Sequence, residues 1–224
     1  MNRPAVEYNL AASTLRRAQL NPERTALVFE EQQYTYGELG DRVRRQAALL
    51  RAQGVCVGDR VGYLGFNHPA LLETLFAAHT LGAIFVPLNF RLTGQELTFI
   101  INDAGIHTLI VDDALLPVIE PVRDELCCRN FYTSESEAPG WGHLSTARAE
   151  AEPLHSVVSV DQHDVAIIMY TSGTTGLPKG AMLTHGNIVW NNINASLAFG
   201  GSRDDVILTV APLFHIGGLN VMTL

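Results

Sequence analysis

Apolar residues recur along the chain with two different spacings. Segments with a helical spacing are separated by short, continuous apolar runs of the kind that form buried strands. The segment "YTYGELGDRVRRQAALLRAQG" predicts a helix that begins at a capping box formed by Thr35 and Glu38. "NHPALLETLFAAHTLG" predicts a second helix with Asn67 as its N-cap. "TGQELTFIINDAG" predicts a third, opened by the capping box of Thr93 and Glu96.

The apolar runs "DRVGYLG", "AIFVPLN" and "HTLIVDD" fall between these helices and predict buried strands. Alternating strands and helices of ordinary length are typical of an α/β fold with mostly parallel sheets flanked by helices. From about Pro117 to Asp161 the pattern weakens, and "TSESEAPGWG" predicts a surface loop. "DVAIIMY" then resumes as a strand that ends at Thr171.

The remaining chain predicts a short strand, "GAMLT", a helix capped by Thr184 with Trp190, Ile193 and Leu197 on one face, and a strand, "DVILTVAP". We expect residues 1–160 to form a first α/β subdomain and residues 161–224 to begin a second. The chain stops inside the apolar run "NVMTL", which favours a truncated fragment of a longer protein. A complete domain whose last helix docks on the core is the alternative.

The segment from Thr171 to Lys179, called the 171–179 loop below, has the composition of an anion-binding loop. Its glycines permit close approach of a ligand, and consecutive backbone N–H groups can converge on an anion. Lys179 adds a compact positive charge, and Pro178 stiffens its approach. These properties suit a polyphosphate. The hydroxyl and glycine positions are Thr171, Ser172, Gly173, Thr174, Thr175, Gly176 and, just after the loop, Gly180.

The spacing does not fit a Walker A loop, because Gly180 follows Lys179 where that motif needs Ser or Thr. A strand rather than a helix is also predicted after the loop, so the helix-dipole geometry of that motif is not expected. From composition alone, a hairpin connection rich in turn residues remains the alternative.

The composition of the chain limits the classes of partner that the protein is expected to bind. Of 224 residues, 47% are hydrophobic, which is enough for a sizeable core, and the net charge of -8 argues against a nucleic-acid partner. Cys56, Cys127 and Cys128 have neither a disulfide nor a zinc spacing, which favours a reducing, cytoplasmic setting. The sequence contains no transmembrane segment, and it leaves peripheral membrane contact and a homodimer open.

"YTSGTTGLPKG" resembles the phosphate-binding signature of the adenylate-forming, AMP-binding enzymes, which include acyl- and aryl-CoA synthetases. "YTYGEL", "LGAIFVPLNFRLTGQEL", "LTHGNI" and "PLFHIGG" resemble further segments of that superfamily in its order. The resemblance runs from about Asn21 to the end and is weakest between Pro117 and Asp161. It implies part of a large N-terminal domain, with the family's C-terminal domain absent from these residues.

The resemblance implies a two-step reaction. A carboxylate, here expected to be that of a fatty acid, attacks the α-phosphate of ATP with Mg²⁺, and the resulting acyl-adenylate passes its acyl group to coenzyme A. It places the phosphates on the 171–179 loop, a magnesium contact at Thr171, and catalytic roles at Lys179 and His215. The nucleotide-binding positions it implies are Thr171, Ser172, Gly173, Thr174, Thr175, Gly176 and Lys179.

His215 follows Phe214 in "PLFHIGG". Without the family resemblance, a lone histidine is more often a structural residue than a catalytic one. The resemblance places it beside the substrate carboxylate, with Phe214 lining the acyl pocket, and amino-acid-activating relatives carry Phe-Asp at this point. The Phe-His pair therefore argues for an unaminated acid, fatty or aryl. Gly217 and Gly218 are expected to leave room for its chain, with a plain turn as the alternative.

Other reactive side chains are expected to be structural. His185 is predicted at a helix start, and His68 and His79 lie on a predicted helix with no partner ligand. Asp112 and Asp113 fit a strand end better than a catalytic pair. The cysteines are not expected to act as nucleophiles.

Three functions stay open at this point. The leading one is an acyl-CoA synthetase. The second is a fatty-acid–AMP ligase that loads a carrier protein, and the third is a non-catalytic nucleotide-binding scaffold. Because the family's adenine, ribose and C-terminal lysine segments are not among these residues, we expect this polypeptide alone to be inactive.

Overall fold

The strands fall into two sheets. The structure, a computed structural model, describes residues 8–171, 176–200, 202 and 204–223. The strands are β1 (Thr25–Phe29), β2 (Gln32–Thr35), β3 (Arg60–Leu64), β4 (Ile84–Leu88), β5 (Ile106–Val111), β6 (Asn130–Thr133), β7 (Gly142–His143), β8 (Val165–Thr171) and β9 (Lys179–Thr184). β1 and β2 form a hairpin, and the others form one sheet in the order β7-β6-β5-β3-β4-β8-β9. Neighbouring strands of this sheet are parallel except β8 and β9, which confirms the predicted α/β class.

Helices cover both faces of the large sheet. They are α1 (Leu10–Leu20), α2 (Tyr36–Ala52), α3 (Pro69–Thr80), α4 (Gly94–Ala104), α5 (Leu116–Ile119), α6 (Leu144–Glu150), α7 (His185–Phe199) and α8 (Ile216–Thr223), with 3-10 turns at Asp113–Leu115 and Glu120–Glu125. The capping boxes at Thr35 and Thr93 are confirmed, and Thr184 forms a third with Asn187. None of the helices in the described part of the chain could traverse a lipid bilayer.

Two apolar clusters lie on opposite faces of the sheet. One joins α1, α2 and α3 to the sheet through residues such as Tyr63 and Phe85, and the other joins α4 and α5 through residues such as Leu64 and Leu88. Every residue of β5 is buried, as a parallel strand covered on both faces requires. Successive side chains of a strand point to opposite faces of the sheet, so each buried strand contributes residues to both clusters.

β8 joins the sheet by parallel pairing with β4, where Phe85 faces Ile167. Because β3, β4, β5 and β8 all run in the same direction, the residues that follow them emerge on one side of the sheet, here called the carboxyl edge. β8 and β9 belong to the same sheet as β3 to β7. The division into subdomains at residues 1–160 and 161–224 stays a prediction.

The predicted cap of α3 is wrong by one residue. His68, not Asn67, is the N-cap, and its Nδ1 accepts from the Ala70 N–H at 3.2 Å. Asn67 is engaged elsewhere, because its side chain hydrogen-bonds backbone groups of Ala211 and Leu213. His68 therefore flanks the helix, contrary to its predicted place on it.

The predicted strand "DVILTVAP" is also wrong. Residues 205–210 form no regular element, and Val206 and Leu208 are 92% and 84% exposed. A strand is stabilised by a neighbouring strand and by burial of one face, and this segment has neither among the described residues. Trp190, Ile193 and Leu197 of α7 are likewise exposed.

A buried ion triad fixes α6 to the layer of α2 and α3. The Glu73 carboxylate accepts from Arg42 Nε at 2.5 Å and from Arg148, and Glu73 is fully buried. The triad gives α6 its position and lies outside the candidate site described below.

A pair of buried histidines lies behind the β8–β9 hairpin. The rings of His79 on α3 and His185 at the start of α7 are 5.0 Å apart, and His79 Nε2 lies 2.9 Å from the Ala166 carbonyl of β8. Because that carbonyl is an acceptor, Nε2 carries the proton. Burial, together with the neighbouring His185, lowers the pKa of His79 to about 3, and burial lowers the pKa of His185 to about 4. Both residues have structural roles.

This pair predicts acid sensitivity. A histidine whose pKa falls on folding takes up its proton first in the unfolded state, so stability falls as the pH drops below about 6.5 toward the folded value. We expect His79→Gln, which keeps a donor for Ala166, to remove about 1 kcal/mol of the loss in unfolding free energy between about pH 6.5 and about pH 5.5. Urea unfolding at both pH values checks this.

The control is His163→Gln, which makes the same substitution at an exposed histidine. An identical pH dependence in wild type and His79→Gln would show that the buried ring does not titrate as described.

Candidate active site

A cavity of about 710 Å³ opens at the carboxyl edge. Its walls come from the ends of β4 and β8, the first turns of α4, the described part of the 171–179 loop, β9, and residues 214–216. In open α/β sheets, ligands bind outside the carboxyl ends of the strands. The cavity has apolar walls with a few polar groups at its rim, which suits an apolar molecule with a charged end. Its apolar side chains include Leu88, Phe99, Leu177, Leu183, Phe214 and Ile216.

The β8–β9 hairpin holds both ends of the 171–179 loop. Thr171 pairs with Lys179 across the two strands, and both residues are exposed. Gly176 has a φ of +98°, a conformation that favours glycine. Lys179 is the single lysine of the sequence. Four of the predicted phosphate-binding residues lie outside the described residues, namely Ser172, Gly173, Thr174 and Thr175.

A tyrosine ties the base of the loop to α4. The Tyr170 hydroxyl donates to the Asp103 carboxylate at 2.5 Å, and Tyr170 lines the cavity. Burial, the hydrogen bond and the charge of Asp103 raise the pKa of Tyr170, so the phenol keeps its proton. Sequence reasoning missed this pair, because nothing in the local pattern links residues 67 positions apart.

His215 is held in a defined orientation. Its N–H donates to the Pro212 carbonyl at 3.1 Å, and its own carbonyl accepts from Gly218 and Leu219, so His215 precedes α8 as its N-cap. His215 Nδ1 accepts from the Gly217 N–H at 3.2 Å. The neutral ring therefore carries its proton on Nε2, since a backbone N–H can only donate. The side chain is exposed at the cavity wall, where that Nε2–H can donate to a ligand oxygen.

Phe214 lies in a group of three aromatic rings. Its ring lies 5.1 Å from the ring of Phe90 in an edge-to-face arrangement, and Phe90 lies 4.7 Å from Phe66. The Arg91 guanidinium lies 5.5 Å from the Phe90 ring and 5.9 Å from the Phe214 ring. Edge-to-face pairs each contribute about 1 kcal/mol beyond burial. Phe214 is thus fixed by residues that follow β3 and β4.

The two glycines after His215 differ. A Cβ at Gly218 would lie 2.4 Å from the Pro212 carbonyl oxygen, so glycine allows the turn to close on itself. A Cβ at Gly217 would meet only His215 Nδ1, at 3.5 Å. Neither glycine is among the described residues that line the cavity. Their predicted contact with substrate stays a prediction.

Other reactive groups have structural roles. The Asp112 carboxylate caps a 3-10 turn by accepting from the Ala114 N–H at 3.0 Å, and Asp113 accepts from the Glu135 N–H. In the described part of the chain, no three His, Cys, Asp or Glu side chains cluster as a metal site would need. The Thr171 hydroxyl is an oxygen that could serve as one ligand of a magnesium ion that enters with a nucleotide.

Comparison with known proteins gives the family. The model of the AMP-binding enzyme family matches residues 15–224. The chain belongs to this family, as the 171–179 loop and the mostly parallel sheet indicated.

Individual relatives are ligases for coenzyme A. The chain is 44% identical over 215 residues to a feruloyl-CoA synthase of Amycolatopsis sp., covering 96% of this chain and 41% of that protein. It is 42% identical over 188 residues to a long-chain-fatty-acid–CoA ligase of Thermus thermophilus, covering 81% of this chain and 34% of that protein. The ATP-bound structure of MatB from Rhodopseudomonas palustris is similar with a TM-score of 0.84 at 30% identity, covering 97% of this chain and 43% of that one. The chain thus spans less than half the length of these relatives.

The turn before α8 generates a stability prediction. Alanine is favoured over glycine by about 1 kcal/mol inside a helix, so Gly217→Ala should be neutral or slightly stabilising. Gly218→Ala should lower the unfolding free energy by about 1–3 kcal/mol, because its Cβ would overlap the Pro212 carbonyl. Urea unfolding of both variants checks this, and equal effects of the two would contradict the close approach at Gly218.

Proposed function

We propose that the complete protein containing this chain is a cytoplasmic acyl-CoA synthetase that activates an unaminated carboxylic acid, preferably a fatty acid, with ATP. The observation that carries the proposal is the common cavity at the carboxyl edge, which Thr171 at one end of the 171–179 loop shares with Phe214 and His215. Membership of the AMP-binding family and the coenzyme A ligases among the relatives support it.

In the first step, a carboxylate oxygen of the substrate forms a bond to the α-phosphorus of ATP. The bond from that phosphorus to the bridging oxygen breaks, and pyrophosphate leaves with the electron pair. Lys179 and the hydroxyl and N–H groups of the 171–179 loop would hold the phosphates. Thr171 would contact the magnesium ion that accompanies ATP, and that ion would offset charge on the phosphates. The His215 Nε2–H donates to the second carboxylate oxygen and orients the first.

In the second step, the thiol of coenzyme A forms a bond to the acyl carbon and loses its proton, and AMP leaves with the electron pair of the acyl–phosphate bond. The apolar walls of the cavity, with Phe214 among them, hold the acyl chain through both steps. An aryl acid is the second candidate substrate, because the feruloyl-CoA synthase is among the most similar relatives. A carrier protein is the second candidate acceptor.

Isotope exchange between pyrophosphate and ATP by the complete protein tests the first step. We expect exchange with fatty or aryl acids, and 3-phenylpropionate should support it while phenylalanine, which adds only an amino group, should not. Phe214 and His215 provide no carboxylate to pair with an ammonium. Exchange with phenylalanine as fast as with 3-phenylpropionate would exclude the proposed substrate class. Adding coenzyme A or a carrier protein then identifies the acceptor.

Lys179 should be needed for the same exchange. Lys179→Ala should lower its rate by about 100-fold, as removal of a charged donor from a reacting phosphate does, and Lys179→Arg should retain more activity. The control is Met182→Ala, which shortens an exposed side chain of the same strand. ATP should also protect Lys179 from acylation by an amine-reactive reagent. Mass spectrometry of the peptide that contains Lys179 measures this protection in the wild-type protein. Unchanged exchange in Lys179→Ala would remove this residue from the mechanism.

A further inference from the structure

Asn67 is attached to the residues just before Phe214 by two hydrogen bonds. Its Nδ2 donates to the Ala211 carbonyl at 2.9 Å, and its Oδ1 accepts from the Leu213 N–H at 2.8 Å. One carboxamide thus satisfies the backbone groups on both sides of Pro212, which has no N–H of its own. The partners are 144 and 146 residues away in sequence.

The two bonds hold the turn that orients His215. Leu213 is buried, and the Pro212 carbonyl that follows Ala211 accepts from the His215 N–H. A shift of this backbone would move the Phe214 ring away from Phe90 and move the imidazole of His215 relative to the 171–179 loop. In the chain that precedes this turn, residues 205–210 belong to no strand that could hold it in place.

A second contact acts at the same place. Phe66, the neighbour of Asn67, packs on Phe90, and Phe90 packs on Phe214. The loop after β3 therefore contacts residues 211–214 both by hydrogen bonds and through the packed rings of Phe66, Phe90 and Phe214. Asn67 itself is half-buried and does not line the cavity, so it has no direct contact with a ligand there.

We propose that Asn67 is a positioning residue for the adenylation step, acting through the backbone of residues 211–213 to place Phe214 and His215. The proposal rests on the function proposed above. It predicts that loss of the Asn67 carboxamide lowers the rate at which the carboxylic acid is adenylated, whereas binding of ATP at the 171–179 loop is unchanged.

Asn102 offers a matched control. Its Nδ2 donates to the Glu125 carbonyl at 2.9 Å and its Oδ1 accepts from the Cys127 N–H at 2.8 Å, which is the same pair of bonds on a segment outside the cavity walls. Asn67→Ala and Asn102→Ala therefore remove equivalent interactions. The two variants should lower the unfolding free energy by similar amounts. A difference between their pyrophosphate-exchange rates would therefore come from the displaced turn and not from lost stability.

Pyrophosphate exchange by the complete protein is the first readout. Asn67→Ala should lower the maximal rate by about tenfold to 100-fold with the KM for ATP unchanged, because small misplacements of a reacting group have effects of that size. Asn102→Ala should match wild type. In a His215→Ala background, Asn67→Ala should have a much smaller further effect, since only the placement of Phe214 is then left to change. Equal losses in the two asparagine variants, or independent losses in the double variant, would overturn the proposal.

Amide hydrogen exchange is the second readout and needs no activity. Asn67→Ala should raise the exchange rates of the Leu213, His215 and Gly217 amides, whereas Asn102→Ala should raise that of Cys127 and leave those three unchanged. Unchanged exchange at Leu213 and His215 in Asn67→Ala would also overturn the proposal. If wild type shows no acid-dependent pyrophosphate exchange, the proposed function fails, and this readout still decides whether Asn67 positions the turn.

Discussion

The parallel pairing of β8 with β4 is the constraint on which the candidate site depends. Phe85 faces Ile167 across these strands, and the hydrogen bond between His79 and Ala166 adds a second tie between β8 and α3. Because β8 runs in the same direction as β3 and β4, the 171–179 loop emerges beside the loops that follow those strands. Antiparallel pairing at this position would place the loop at the opposite edge of the sheet, away from Phe214 and His215.

The site is assembled from segments that are distant in sequence, and specific polar contacts fix each one. Tyr170 ties the start of the 171–179 loop to Asp103 on α4, and Asn67 ties the turn before His215 to the loop after β3. In the second case, the loop after β3 holds a turn that follows residues 205–210, which form no regular element. The orientation of His215 then follows from the Gly217 N–H, which leaves Nε2 as the donor. Thr171, where we predict phosphate binding, and His215, which we predict to donate to a carboxylate, line the same cavity at this edge.

Local interactions made much of the fold predictable. The predicted capping boxes at Thr35 and Thr93 and the predicted N-cap at Thr184 depend on residues close in sequence. The buried strands depend on continuous apolar runs. The prediction of Asn67 as the N-cap of α3 was wrong because its side chain makes tertiary hydrogen bonds, and His68 caps the helix instead. The prediction of a strand at residues 205–210 was wrong because an apolar run also needs a neighbouring strand to pair with, and the run itself does not encode one. The motifs predicted site roles for Thr171, Lys179, Phe214 and His215, and these roles stay predictions. The contacts of Tyr170 and Asn67 join residues far apart in the chain, and no spacing in the sequence encodes them.

Under the proposed function, the complete protein makes an acyl-adenylate at this cavity. The most direct test of this proposal is mass spectrometry of the products of a single turnover with ATP and a fatty or aryl acid, with coenzyme A omitted. We expect an acyl-adenylate in an amount equal to the pyrophosphate released, and its conversion to acyl-CoA and AMP when coenzyme A is added. Formation of ADP and inorganic phosphate, or release of pyrophosphate without an adenylate, would contradict the proposal.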